Sequence, residues 1–84
     1  MTKRIWKYEM SAAGYANLSI PQGSQFLRVG QQDGTVCLWF MVDDSAVQEM
    51  RHFIFTGTGH AVPEEGKYLG SADCPPFVWH VFEV

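Results

Sequence analysis

Gln25-Phe-Leu-Arg-Val-Gly-Gln-Gln-Asp-Gly-Thr-Val-Cys-Leu-Trp-Phe-Met-Val42 is the stretch whose reading decides the fold. Asp33-Gly34 lies between two runs rich in β-branched and aromatic residues, and an Asp-Gly pair tolerates the positive φ angles that a two-residue hairpin turn requires. The run before the turn, residues 25–31, alternates with Leu27 and Val29 facing inward. The run after it, residues 35–42, is apolar on both faces, with Val36, Leu38, Phe40 and Val42 on one and Cys37, Trp39 and Met41 on the other. Such a strand belongs at the centre of a sheet or beneath another subunit.

The flanking segments read the same way. Residues 4–10 alternate Trp6, Tyr8 and Met10 against a wetter face of Ile5, Lys7 and Glu9; Ser11-Ala-Ala-Gly14 follows as a small-residue turn. Ala16, Leu18 and Ile20 alternate with Asn17 and Ser19 as a second, half-buried strand that Pro21-Gln-Gly23 stops. Residues 43–49 are the one helical candidate, a turn or two on the Ser45-x-x-Gln48 capping-box pattern. Strands are then expected over 51–56 and 67–72, with a loop over 57–66, and Pro75-Pro76 as an extended lead into a closing strand over 77–84. An apolar C-terminal strand of this kind must be paired, since an open edge would aggregate. The expectation is an all-β single domain over residues 1–84, a small antiparallel sandwich or barrel of six to seven short strands with at most one short helical turn.

Composition bounds the function. An 84-residue chain holds one modest core, and 46% hydrophobic and 14% aromatic residues against 18% charged leave more apolar surface than that core hides, so a homo-oligomer is expected. A net charge of −3, with Lys3, Arg4 and Lys7 as the one basic cluster, argues against general nucleic-acid binding, which needs clustered cations to displace counterions. No apolar run reaches membrane-spanning length and the N-terminus lacks a signal-peptide pattern, so the expected location is the cytoplasm. Cys37 and Cys74 match no metal or disulfide framework, and a Cys37–Cys74 bridge is the lesser alternative. Cys37 reads as a small buried apolar residue.

Two sets of residues are candidates for function. Thr56-Gly-Thr-Gly-His60 ends a strand in glycines, so its backbone N–H groups and the Thr56 and Thr58 hydroxyls can meet an anion, with His60, Lys67 and Tyr68 completing a pocket. The spacing matches neither a P-loop nor a dinucleotide fingerprint, and the plain alternative is that Gly57 and Gly59 solve a turn. Trp6, Tyr8, Trp39 and Trp79 form the second set, as an aromatic partner interface or as core packing. A His60–Glu64 hydrolase is the catalytic alternative, but spacing identifies no nucleophile, and no enzyme is expected. His52 and His80 read as structural residues. No cofactor or metal is expected, because the histidines and cysteines show no ligand spacing.

Taken together, Arg4-Ile-Trp-Lys-Tyr-Glu9, Leu38-Trp39, Val42-Asp43, Gly57-Thr-Gly-His60 with Pro63, Gly66-Lys-Tyr68 and His80-Val-Phe-Glu-Val84 resemble a family of small proteins from tailed bacteriophages and prophages with no assigned activity. The resemblance covers nearly the whole chain. It implies an accessory binding protein that inhibits a host protein, such as a defence factor, working in the host cytoplasm. The alternatives are an oligomeric sponge for a small nucleotide immune signal and a virion structural or assembly accessory.

Overall fold

The computed structural model describes residues 2–10 and 14–84, and is all-β: β1 (Lys3–Glu9), β2 (Tyr15–Pro21), β3 (Gln25–Gln32), β4 (Thr35–Asp43), β5 (Gln48–Gly57), β6 (Lys67–Cys74) and β7 (Phe77–Glu83). They form two antiparallel sheets, one ordered β1-β4-β3 and the other β2-β5-β7-β6. The two central strands of greatest apolar content occupy the expected places. β4 lies between β1 and β3, and β7 lies between β5 and β6. The expected turn at Ser11-Ala-Ala-Gly14 falls largely on residues outside those described.

Period-two alternation builds the core. Leu38, Phe40 and Val42 of β4 face Ile20 of β2, Phe53 of β5 and Val81 of β7, all with essentially no exposure. Each such side chain withdrawn from water contributes about 1.5–3 kcal/mol. Phe40 is the hub, with the rings of Tyr8, Phe26 and Phe53 meeting it edge-on at 5.7–6.0 Å between centroids. Burial pushes the Tyr8 hydroxyl above its ordinary pKa. At one end of the sandwich Arg51 closes the core: its Nε and Nη2 donate to the two Glu83 carboxylate oxygens at 2.6 and 2.7 Å, and its Nη1 donates to the Ser24 carbonyl at 2.9 Å. The guanidinium also lies over the Phe40 ring, 5.1 Å from its centroid. Along one side β3 of the first sheet packs against β6 of the second, and Gly70 leaves room there for Val29, which a Cβ would meet at 3.4 Å.

The Asp33-Gly34 hairpin forms as expected, with φ of 53° and 79° at the two turn residues and Gln32 opposite Thr35. Three expectations need correcting. Leu27 does not face inward; it is the extra residue of a β-bulge between Phe26 and Arg28, so Phe26 and Val29 point to the core and Leu27 is 40% exposed. Residues 43–49 form no helix. The Asp43 carboxylate accepts from both the Ser45 amide at 3.0 Å and the Ser45 hydroxyl at 2.7 Å, an Asx-type turn that leads directly into β5 at Gln48. Those two hydrogen bonds hold the Asp43 carboxyl below its ordinary pKa. Finally, Pro75-Pro76 is not an extended lead-in but the two-residue turn of the β6–β7 hairpin, with a cis peptide bond between the prolines and Cys74 opposite Phe77.

Candidate functional site

The glycine loop lies where β5 ends, at the side of the four-stranded sheet that faces away from the core. A pocket of about 310 Å³ is lined there by Thr56, Gly57, Thr58, Gly59 and His60 from the β5 end, and by Val62, Tyr68, His80 and Phe82. Strand pairing brings them together: Tyr68 sits opposite Phe82, and His80 sits opposite both Thr56 and Ser71. His80 is the centre of a hydrogen-bonded chain, with its Nε2 2.9 Å from the Thr58 hydroxyl and its Nδ1 3.0 Å from the Tyr68 hydroxyl. Its neutral ring can donate through one nitrogen and accept through the other, which satisfies both partners.

Six of the pocket's nine lining residues, Thr56 to His60 together with Tyr68, are among those the sequence singles out for a site, and Val62, His80 and Phe82 are not. Lys67 is outside it: being adjacent to Tyr68 on a strand, it takes the opposite side, opposite Glu83. Two of the amides proposed for an anion are engaged internally: Thr58 donates to the Val78 carbonyl at 3.3 Å and His60 to the Gly57 carbonyl at 3.0 Å. The glycines answer to local geometry. Gly59 has φ +89°, and a Cβ on Gly57 would stand 3.1 Å from the His60 ring and 3.4 Å from Trp79. Glu64 and Glu65 are exposed and line no part of the pocket with His60. His52, on the same outer side, has its Nδ1 2.7 Å from the Asn17 side-chain oxygen. Among the described residues no three His, Cys, Asp or Glu side chains are grouped to hold a metal ion, and no helix is long and apolar enough to cross a membrane.

The four aromatics do not share a surface. Tyr8 packs on Phe40 in the core; Trp79 is half-buried, meeting Phe55 edge-on at 5.3 Å and Phe77 at 5.2 Å; Trp6 shares the inward side of β1 with Tyr8 and keeps 36% exposure. Trp39 alone faces out. It is the middle of the outer face of the three-stranded sheet, with Lys7 opposite it on β1 and Arg28 opposite it on β3. The Arg28 guanidinium lies 4.9 Å from the Trp39 ring centroid, a cation–π contact that Gly30 makes possible: a Cβ there would come within 2.7 Å of Arg28 Nη2 and 3.2 Å of the Trp39 ring. Ile5, 63% exposed, and Met41 are paired beside it. Cys37, on the same outward side of β4, has no exposure; Lys7 Nζ donates to the Gln32 side chain across that strand, and burial raises the thiol's pKa. Both cysteines are free thiols.

No curated protein and no solved structure matches the chain. A family match extends over the whole of it, from residue 1 to residue 84. With both sheets and both candidate surfaces falling inside that span, the chain belongs to the family described as a domain of unknown function, DUF7352.

Proposed function

We propose that this is a non-catalytic binding protein that captures an acidic, partly apolar protein surface through the outer face of its three-stranded sheet. The observation that supports this is the position of Trp39, the one member of the aromatic set on an outer face, with Arg28 stacked on it and Lys7 opposite. Trp and Arg are the residue types that dominate binding energy at protein interfaces, because a flat ring and a planar cation give large contact area at small entropic cost. Ile5 and Met41 supply apolar contacts around that centre, and Arg28, with Lys7 partly offset by Glu9 at 3.6 Å, favours a partner of opposite sign, although the whole chain carries −3. A host protein as target, as the bacteriophage resemblance implies, is part of this reading. The nucleotide-sponge alternative has less support, since the Thr58 and His60 amides already have acceptors and Lys67 lies away from the pocket.

The test is affinity capture from a bacterial lysate with the wild-type protein and with the double variant Lys7→Glu/Arg28→Glu. A protein retained by the first and lost by the second, at equal folding by circular dichroism, supports the reading. An identical captured set from both sinks it, and so does capture through these residues of single-stranded DNA in place of a protein.

A further inference from the structure

The opposite broad face of the molecule has a different character. In β2, β5 and β7 the residues pointing away from the core include no Lys, Arg, Asp or Glu, and in β6 the one such residue is Asp73 near the hairpin end. The other charges those strands carry, Glu49, Arg51, Lys67 and Glu83, fall on the alternate positions, at the end of the sandwich that Arg51 closes. What the face presents is large and apolar: Met50 is 59%, Tyr15 58% and Tyr68 52% exposed, with Ile54 and Phe82 half-buried between them. The polar positions among them are Asn17, Ser19, Thr56 and Ser71, together with His52 and His80.

We infer that this face is a self-association surface, and that its occupant is the same face of a second copy of the chain, packed sheet against sheet about a twofold axis. An isologous contact sets residue i against j and j against i, and close to the axis sets each residue against its own copy, so any cation or anion there meets its like and costs free energy. A face whose one carboxylate, Asp73, stands at its hairpin edge largely avoids that cost, whereas a charged heterologous partner gains little from it. Depletion of charge with enrichment of Tyr, Phe and Met is the compositional mark of an interface core. Four strands about 4.8 Å apart and seven residues about 3.4 Å each span a flat footprint of about 19 by 24 Å, roughly 460 Å². That is over half of the ~800 Å² per partner that stable interfaces bury, and side-chain relief and the flanking loop add to it, on a molecule whose two longest extents are 42 and 29 Å. The pocket at Tyr68, His80 and Phe82 is then a depression that the partner's side chains fill. This inference stands apart from the Trp39 surface, which lies on the other sheet.

Sedimentation equilibrium decides it. Wild-type protein at about 10 µM should have twice the 9.5 kDa chain mass, and Met50→Lys and Tyr68→Glu, both at positions more than half exposed, should each weaken the dimer at least 100-fold and return the chain mass. Ile5→Lys on the three-stranded sheet should leave the dimer intact. A wild-type monomer at 200 µM, a wild-type oligomer other than a dimer, a dimer untouched by the two face variants, or one lost with Ile5→Lys would each overturn the assignment. Circular dichroism of each variant separates loss of association from loss of fold.

Discussion

Arg51→Met removes a charge whose three nitrogens each have a specific role. Two of its N–H groups hold the Glu83 carboxylate, a third holds the Ser24 carbonyl, and its plane covers Phe40. The two side chains of the pair are only 19% and 23% exposed, so solvent weakens the interaction less than at an open surface. Hydrogen bonds to charged groups contribute about 1.5–3 kcal/mol, and stripping one partner from a fully buried pair costs about 3–5 kcal/mol because the other charge stays behind. For a pair that retains about a fifth of its exposure, a loss of about 2–3 kcal/mol is expected. Set against the ~4–12 kcal/mol that a chain of this length has in total, that is a large share, and it corresponds to a fall in Tm of about 10–20 °C. Urea unfolding followed by far-ultraviolet circular dichroism measures it, at one protein concentration so that association does not intrude. A double-mutant cycle with Glu83→Ala should give a coupling energy of about 1–3 kcal/mol. If Arg51→Met were within about 0.5 kcal/mol of wild type, the gain from the pair would be offset by desolvation, and the account of how this end of the sandwich is held would be wrong.

Three further outcomes are expected. Phe40→Ala, which empties the hub of the aromatic cluster, should cost about 3–5 kcal/mol, more than Arg51→Met; equilibrium unfolding reads it directly. Gly30→Ala should displace Arg28 from the Trp39 ring at a stability cost of about 0.5–1 kcal/mol while weakening partner capture, with Trp fluorescence reporting the change around Trp39. Asp43, whose folded pKa is depressed by its bonds to Ser45, contributes stability that is present above its unfolded pKa and is lost as pH falls through its folded pKa; Ser45→Ala should flatten that acid limb, and unfolding curves between pH 2 and 5 would show it.

The parts of the fold legible in the sequence are those where one local rule acts alone. Asp33-Gly34 specifies a turn that needs positive φ, and the two-faced apolar pattern of β4 specifies a central strand. Leu27 was misplaced because a bulge inserts one residue and reverses the alternation on either side of it, and nothing in Phe-Leu-Arg-Val marks where the extra residue falls. Ser45-x-x-Gln48 satisfies a capping pattern, but Asp43 competes for the Ser45 amide and hydroxyl and makes a turn instead. Residues 56–60 were recognisable as a pocket wall from their glycines. His80 was not, because its partners Thr58 and Tyr68 are 22 and 12 residues away and meet it only through strand pairing. The aromatic set was ambiguous for a related reason: strands apolar on both faces do not reveal which side a Trp takes until the sheets are stacked.

The concealment of Cys37 has a practical consequence. With its sulfur under the Lys7–Gln32 bridge and its pKa raised by burial, the thiol is chemically silent while the three-stranded sheet is intact. Cys74, half-buried in the other sheet, lacks that cover. A thiol-specific reagent therefore finds two clocks in one chain: a fast one at Cys74 and a slow one at Cys37 that ticks only when β4 parts from its neighbours, so the native protein carries its own probe of how often that sheet opens.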